Sequence, residues 1–285
     1  MLKIENESQL FPKELKKIIK CPKQLYVGGN VGLLDTTGIA VIGSRHYSDY
    51  GKRMCQLFVK ELIQYGITII SGMAEGIDSI AHRTSIENGG NTIAVLPCGF
   101  NKIYPKTNIG LYKDILNLGG TVVSEYSENM KAEYKSFLER NRIVSGLSIG
   151  TLVIEAGYRS GTSVTARLAK EQGKKVFSVP SSLDNHRGIT SNKIIQNGGK
   201  LVTCVEDILD EFPDISFEKR EPITSNAIVD EEYADVYNVL SFKPQHINEI
   251  AKKCKISIND ASYKLMMLEL EEHVIQLRGK NFIRK

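Results

Sequence analysis

Short, largely apolar segments alternate with amphipathic ones through the middle of the chain, and this pattern constrains the fold most. Gly38–Gly43 and Ile67–Ser71 are two such segments, and the amphipathic stretch Asp49–Tyr65 separates them. The alternation continues as far as residue 211. Strands that are apolar throughout are typical of parallel sheets covered by helices on both faces. The sequence therefore predicts a Rossmann-like, doubly wound and mostly parallel α/β domain over residues 38–211.

The two ends of the chain do not join this alternation. Within residues 1–37, Pro12–Lys20 indicates a helix and Pro22–Leu34 a loop, so this part is predicted to be an N-terminal extension. Residues 212–227 are polar and irregular and contain two prolines, which is typical of a linker. Three helical patterns and a short hairpin within residues 228–285 then predict a small winged-helix domain.

Composition limits the class of protein. The five cysteines are scattered and form no CxxC pair, which indicates reduced thiols rather than a disulfide framework or a zinc site. The apolar runs are too short to cross a bilayer and no secretory signal is evident, so we expect a cytoplasmic protein that does not contact a membrane.

The net charge of +4 is too small to indicate, by itself, that the protein binds nucleic acid. Residues 228–285 hold nine basic and nine acidic residues, so a polyanion is expected on the larger domain.

The loop after the first predicted strand carries Ser44 and Arg45. Ligands of doubly wound sheets bind at such loops, beyond the carboxyl ends of the strands. A small residue followed by arginine suits a phosphate held by amide groups and a guanidinium. The segment lacks the GxGxxG spacing of dinucleotide sites. A plain turn with a surface arginine fits this motif equally well.

The loop after the second strand leads into a helix that carries Asp78 and His82, four residues apart. This spacing places the two side chains on one helix face, where they could act in acid–base chemistry or bind a metal. No third ligand or nucleophile lies at a suitable spacing, and a capping aspartate with a hydrogen-bonded histidine is the favoured interpretation. No catalytic residue and no metal site are therefore predicted.

Two later segments add further groups that suit an anion. Arg140, Asn141 and Arg142 precede an apolar run, although Arg140 could instead pair with a neighbouring glutamate as surface charge. Ser160, Gly161 and Thr162 bring hydroxyls and free amides to the start of a helix. We expect Arg45 and the arginine pair to meet at the carboxyl edge of the sheet as one site. Together the segments form a strip, which favours a polymeric phosphate backbone over a single nucleotide.

In combination these segments resemble the DprA/Smf DNA-processing family. The matching motifs, in order and correctly spaced over residues 38–205, are AVIGSR (40–45), SGMAEGIDSIAH (71–82), GGNTIAVLPCGFNKIYP (89–105), SEY (124–126), FLERNRIVSGLS (137–148) and VIEAGYRSGTSVTA (153–166). The phrase PKELKKIIKCPKQLYVGGN (12–30) resembles the segment before the Rossmann-like domain in that family. Two positions depart from the family pattern, since Glu75 replaces the usual arginine and Leu138 the usual proline.

The resemblance implies single-stranded DNA binding, a homodimer formed through the Rossmann-like domain, and delivery of the RecA recombinase onto DNA during natural transformation. It implies no cofactor and no enzymatic activity. It places the DNA contacts on Ser44, Arg45, Arg140, Asn141, Arg142 and the helix start Ser160, Gly161 and Thr162, to which we add Lys135 for its charge and its nearness to the arginine segment. No contact is assigned to Glu75, whose negative charge would oppose a phosphate.

Two alternatives belong to other functional classes. One is a hydrolase of nucleoside monophosphates of the lysine-decarboxylase-like (LOG) group, but those enzymes carry a glycine-dense PGGxGT-type loop followed by a catalytic glutamate. Here the equivalent segment reads YRSGTSVTA, with Glu155 before it and Glu171 a helix length away. The other is a nucleotide-binding regulatory module whose winged helix reads a promoter. Release of a free base supports the first, and tight binding of a small nucleotide supports the second.

Overall fold

The computed structural model describes residues 1–158, 160–219, 230–241, 244–271, 273–277 and 279–284. The chain divides into two compact units, Met1–Ile223 and Thr224–Lys285. The predicted linker lies outside the described residues over 220–227. The domain boundaries predicted after residues 37, 211 and 227 stay predictions.

The larger unit is built on one nine-stranded sheet. Its strands are β1 (Leu2–Glu5), β2 (Gln24–Gly29), β3 (Gly38–Ile42), β4 (Thr68–Ser71), β5 (Thr92–Leu96), β6 (Thr121–Ser124), β7 (Gly150–Val153), β8 (Lys175–Ser178) and β9 (Lys200–Leu201). The helices described in this unit are α1 (Lys13–Lys16), α2 (Asp49–Gln64), α3 (Ile77–Glu87), α4 (Ile109–Asn117), α5 (Tyr134–Gly146), α6 (Gly161–Glu171), α7 (Ile189–Gln196) and α8 (Glu206–Leu209).

The strand order is β1-β2-β6-β5-β4-β3-β7-β8-β9. The seven strands from β6 to β9 in this order run parallel, whereas β1 and β2 are antiparallel additions at one edge. Strands added after β3 extend the sheet on one side as far as β6, and the chain then returns to place β7 on the other side of β3. The point between β3 and β7 is therefore the topological switch point, where doubly wound sheets bind ligands. The predicted Rossmann-like, mostly parallel fold is confirmed.

Strand β3 shows why the central strands are apolar throughout. Its five residues are all buried. Ile39 and Val41 belong to the hydrophobic cluster on one face of the sheet, which includes residues of α2 and α3. Ala40 and Ile42 belong to the cluster on the opposite face, which includes residues of α5 and α6. Successive side chains of a strand point to opposite faces, so a sheet covered on both sides needs apolar residues at every position.

The N-terminal part of the chain differs from the prediction. The loop predicted for Pro22–Leu34 was wrong over Gln24–Gly29, which form β2 and pair antiparallel with β6. Leu25 and Val27 are buried within β2, while Gln24, Tyr26 and Gly28, which alternate with them, are partly exposed. This period of two is typical of a strand that covers the core with one face. The helix predicted over Pro12–Lys20 is limited to the single turn of α1.

The smaller unit contains α9 (Glu231–Val239), β10 (Gln245–His246), α10 (Ile247–Cys254), α11 (Ile258–Leu270), β11 (Val274–Leu277) and β12 (Asn281–Arg284). The strands form a three-stranded sheet in the order β10-β12-β11. Val236, Ile250 and Leu265 of the three helices are fully buried together with Val274 and Phe282 of the sheet. Three helices and a hairpin around one core form a winged helix, as predicted. Over the described part of the chain, no helix is both long and apolar enough to cross a membrane.

Candidate nucleic-acid interface

A cleft of about 850 Å³ opens at the carboxyl edge of the sheet, above the switch point between β3 and β7. We call it the switch-point cleft. The loops after β3, β4, β5, β7 and β8 contribute to it, and one side of α5 forms a wall. Its lining includes Ser44, Arg45, His46, Gly72, Asp78, Tyr104, Tyr134, Phe137, Arg140, Asn141, Tyr158, Ser160, Gly161, Thr162, His186 and Arg187.

The loop after β3 presents Arg45 to solvent. Ser44 is turned into the loop itself, because its hydroxyl donates to the carbonyl of His46 (2.9 Å) and accepts from the amide of His46 (3.1 Å). Arg45 is exposed, and its guanidinium lies 5.7 Å from the ring centre of Phe137. In the described part of the chain Arg45 forms no ion pair with a carboxylate. Its charge is therefore available to a ligand.

Two glycines allow the loops after β3 and β4 to approach each other. A Cβ atom at Gly43 would lie 2.6 Å from Ile77, at the start of α3. A Cβ atom at Gly76 would lie 2.3 Å from the carbonyl oxygen of Ser44, and Gly76 has a φ of +85°. Only glycine combines this backbone conformation with this approach. The glycines thus bring Arg45 beside the segment that follows β4.

A buried carboxylate ties three segments of the cleft together. Glu155, which is 1% exposed, follows β7. One of its oxygens accepts from the amide of Ser48 (2.7 Å), and the other accepts from the hydroxyl of Ser48 (2.6 Å) and the side-chain amide of Asn185 (2.9 Å). Ser48 is also the N-cap of α2, as its position before the helix suggests. Glu155 therefore fixes the loops after β3 and β8 relative to β7.

Arg140 lies at the floor of the cleft but is directed into the protein. It is 4% exposed, and its guanidinium donates to the carbonyl oxygens of Gly72 and Val95, the latter at 2.6 Å. Asn141 accepts a further hydrogen bond from Nε of Arg140 (3.2 Å). Burial lowers the pKa of Arg140 to about 10, against the stabilising charge of Asp78. This arginine holds the floor of the cleft in place.

The structure places Arg142 and Lys135 outside the switch-point cleft. Arg142 pairs with Glu125, and its Nη1 donates to the carbonyl of Lys20 at 2.5 Å. It lines a separate depression formed with the N-terminal segment. Lys135 is exposed on α5 and lies 3.5 Å from Glu139. Of the predicted phosphate ligands on α5, only Arg140 and Asn141 are brought to the same cleft as Arg45.

The start of α6 lines the same cleft as Arg45. Ser160 is the N-cap, and Gly161 and Thr162 form the first turn of the helix. These three residues lie at the start of a helix, as expected from the sequence. The hydroxyl oxygen of Ser160 is buried and has no hydrogen-bond partner among the described residues. Amides at a helix start lack intrahelical acceptors and favour an anion.

Asp78 and His82 have structural roles. The Asp78 carboxylate accepts from the amides of Gly72 (3.1 Å) and Ala74 (3.4 Å). Burial raises the pKa of Asp78, and the Arg140 charge opposes that rise. His82 lies in the core, with Nδ1 at 2.7 Å from the hydroxyl of Thr92, and burial lowers its pKa to about 3. In the described residues no group of three or more His, Cys, Asp or Glu side chains could hold a metal ion.

Several lining residues were not predicted from the sequence. Tyr104 and Phe137 contact each other edge to face with ring centres 5.4 Å apart. Tyr134 is 83% exposed at the start of α5. His186 and Arg187 lie in the loop after β8, and Arg187 donates to the carbonyl of Tyr47 at 3.3 Å. Because this loop also follows a parallel strand next to the switch point, its position was the signal that could have identified it.

Comparisons with known proteins agree with this architecture. The model of the DNA recombination-mediator protein A family matches residues 3–213, and that of the DprA winged helix domain matches residues 220–280. Protein Smf of Escherichia coli (strain K12) is 41% identical over 209 residues, which are 73% of this chain and 56% of that protein. DNA processing protein DprA of Bacillus subtilis (strain 168) is 38% identical over 216 residues, 75% of this chain and 72% of that protein. The chain thus matches little more than half the length of the E. coli relative.

Two solved structures are similar to the larger part of the chain. DNA processing protein A from Streptococcus pneumoniae superposes with a TM-score of 0.70 and 36% identity, and the match covers 76% of this chain and 74% of that one. A structure from Helicobacter pylori, which concerns the single-stranded DNA binding mode of its DNA processing protein A, superposes with a TM-score of 0.65 and 31% identity. That match covers 75% of this chain and 95% of the other.

Proposed function

Because the chain belongs to the DNA recombination-mediator protein A family, we propose that its larger unit binds single-stranded DNA in the switch-point cleft. The observation that carries the proposal is the presence of both cationic groups and accessible aromatic rings on the walls of one cleft. Cations suit the phosphates, and aromatic rings suit unpaired bases. A site for a single nucleotide would need only one phosphate position. Here the cationic and aromatic side chains extend over several loops.

The phosphate backbone is proposed to contact Arg45 and the helix start at Ser160, Gly161 and Thr162. Arg45 is exposed and can form a bidentate contact with a phosphate. The helix start supplies amide donors and the positive end of a helix dipole. Arg187, exposed in the loop after β8, extends the cationic surface.

The bases are proposed to stack on the exposed rings of the same cleft. Tyr104 is 46% exposed and Tyr134 is 83% exposed, and both line the cleft together with Phe137. Bases in a duplex already stack on each other, so their faces are accessible to a side chain only in a single strand. Stacking contributes about 1–3 kcal/mol per base. This contribution favours single strands over duplexes.

Fluorescence anisotropy with a labelled single strand and a blunt duplex of the same length tests the proposal. We expect the single strand to bind about tenfold more tightly or better, as one stacked base alone would account for. Log affinity should fall with log salt concentration by roughly 0.7 for each phosphate contacted. Equal affinity for the two DNAs, or an affinity independent of salt, would reject single-stranded DNA as the ligand.

We extend the proposal to the partners that the family resemblance implies. The chain would protect incoming or processed single-stranded DNA as a homodimer and help to load the RecA recombinase in recombination and natural transformation. A role with these partners would be exercised in the cytoplasm. The family description as a recombination mediator supports the role. Faster RecA assembly on strands coated with single-strand-binding protein tests the loading, and sedimentation equilibrium tests the dimer.

The alternative of a nucleoside monophosphate hydrolase would need a carboxylate that can reach a substrate. Glu155 is buried with both oxygens occupied by Ser48 and Asn185, and Glu171 pairs with Arg167 at the far end of α6. Neither carboxylate therefore supports the hydrolase.

For the alternative of a nucleotide-binding regulatory module, a mononucleotide that displaces the labelled single strand at low concentration would favour the module over the DNA binder.

A further inference from the structure

A small depression adjoins the switch-point cleft on the side of the β4–α3 loop, and we call it the Glu75 corner. It is lined by Arg45, Gly72, Ala74, Glu75, Pro97, Tyr104, Pro105 and Phe137. Five of these residues, among them Arg45, Tyr104 and Phe137, also line the cleft. The corner is therefore a side recess of the cleft, and the rings of Tyr104 and Phe137 line both.

Glu75 is held in a defined orientation at this recess. Its Oε1 atom accepts a hydrogen bond from the hydroxyl of Thr107 at 2.8 Å. The side chain is exposed, and in the part of the chain that the structure describes it forms no ion pair, including with Arg45. The exposed Glu75 carboxylate lines the same recess as Arg45. Its negative charge repels phosphate. The carboxylate can instead accept a hydrogen bond from a donor on the DNA.

The size of the recess limits what that donor can be. Its volume is about 20 Å³, which is enough for one group the size of a water molecule. A whole base cannot enter, but the exocyclic substituent of a base that stacks on Tyr104 or Phe137 can. Cytosine presents an amino group at its 4-position, whereas thymine and uracil present a carbonyl oxygen there. A carboxylate accepts from the first and repels the second.

We propose that Glu75 selects a base with an exocyclic amino group at this position of the bound strand, and therefore favours cytosine over uracil and thymine. The proposal rests on the proposed binding of single-stranded DNA in the switch-point cleft. Tyr104 and Phe137 supply the stacking surface, and Thr107 orients the carboxylate. The site would thus add a base preference to stacking and phosphate contacts that otherwise accept any base.

Oligo-dC and oligo-dU of equal length test this directly, because these two pyrimidines carry different groups at the 4-position and neither has the thymine methyl group. Affinities are compared at mildly alkaline pH, where cytosine stays unprotonated. We expect the wild-type protein to favour oligo-dC by roughly tenfold, as a hydrogen bond to a charged acceptor allows. Glu75→Ala should bring the ratio close to one, with the affinity for oligo-dU unchanged or increased.

Two further variants are compared with Glu75→Ala: Glu75→Gln, which keeps the shape of the side chain, and Glu87→Ala, which removes the same charge elsewhere. Glutamine keeps the side-chain shape and can still accept from Thr107, but its amide can also donate to a carbonyl, so the preference for oligo-dC should again be lost. Glu87 is exposed near the end of α3 and does not line the cleft, so its removal changes the net charge equally and should leave the preference intact.

Three results would overturn the inference. Equal binding of oligo-dC and oligo-dU by the wild-type protein would show that no amino group is read, while leaving the proposed DNA binding in place. A preference that persists in folded Glu75→Ala and Glu75→Gln proteins would assign it to another group. Failure to bind either oligonucleotide would reject the proposed function and this inference together.

Discussion

Arg140 and Arg142 are two residues apart on α5, yet their guanidinium groups lie on opposite sides of the helix. Arg140 donates inward to the carbonyl oxygens of Gly72 and Val95. Arg142 pairs outward with Glu125 and donates to the carbonyl of Lys20. The first supports the floor of the switch-point cleft, and the second joins α5 to the N-terminal segment. A motif that looks like one arginine pair in the sequence therefore serves two separate places.

Replacing Arg45 should weaken DNA binding without affecting the fold. Its side chain is exposed and makes no ion pair within the described residues, so within the protein Arg45→Ala removes only the exposed contact of the guanidinium with the Phe137 ring. We expect a loss of about 1–3 kcal/mol in the free energy of binding single-stranded DNA, as for a charge-assisted hydrogen bond. Anisotropy gives the affinity, and thermal unfolding of the same protein should give an unchanged Tm.

Arg83→Ala is the control for this change, because Arg83 is exposed on α3 and does not line the cleft. It removes the same charge, so its effect should be limited to the small general loss of positive potential. An Arg45→Ala protein that is folded and binds with wild-type affinity would rule out Arg45 as a contact.

Arg140→Ala should instead destabilise the protein. The substitution leaves the Asp78 carboxylate buried without the positive charge that opposes the rise of its pKa, and it leaves two carbonyl oxygens without their donor. Leaving a buried acceptor without its donor typically costs about 1–3 kcal/mol of stability for each group. Urea denaturation followed by circular dichroism measures the loss. Stability within experimental error of the wild type would contradict the structural role of Arg140.

Arg45 and Arg142 should act independently in DNA binding. The sequence suggested a single site that includes both, for which the double variant would be non-additive. The structure places Arg142 in a different depression, and sites without a shared partner add to within about 0.5 kcal/mol. Affinities of the wild type, the two alanine variants and the double variant complete the cycle. A coupling energy well above that value would show that one strand contacts both arginines.

The stability of the larger unit should fall as the pH decreases below about 6.5, the ordinary pKa of histidine, because of His82. Burial lowers its pKa to about 3 in the folded protein, so between these values the unfolded chain binds a proton that the folded chain does not. Each pH unit in this range should cost about 1.4 kcal/mol. Urea denaturation at several pH values compares the wild type with His82→Gln, which lacks the titrating group. Parallel curves for the two proteins would contradict the assignment.

The parallel part of the sheet could be predicted because strands buried on both faces appear in the sequence as continuous apolar runs. Every residue of β3 and β5 is buried, and their runs of apolar residues stand out. Strand β2 could not be recognised in the same way, since only Leu25 and Val27 face the core and the strand ends in two glycines. Its pairing with β6, nearly a hundred residues later, is a long-range contact that the local sequence does not contain.

The loops of the site could be predicted, but the directions of their side chains were not. The rule that ligands bind beyond the carboxyl ends of parallel strands located Arg45 and the start of α6. Residues two apart on a helix differ by about 200° around its axis, so Arg140 and Arg142 were bound to diverge once α5 was assigned. That Arg140 would turn inward depends on the carbonyl oxygens of Gly72 and Val95, which only the folded chain brings beneath α5.

The bonds made by Glu155 have a consequence for the thermodynamics of ligand capture. They already hold the loops after β3 and β8 in the free protein, through Ser48 and Asn185. Each loop residue ordered on binding would otherwise lose about 1–2 kcal/mol of conformational entropy at room temperature. A pre-organised cleft avoids this loss, so most of the conformational entropy lost on binding is that of the DNA. Loss of the Glu155 hydrogen bonds to Ser48 and Asn185 would therefore shorten the lifetime of the complex with DNA. This effect is expected even though Glu155 is buried and does not line the cleft.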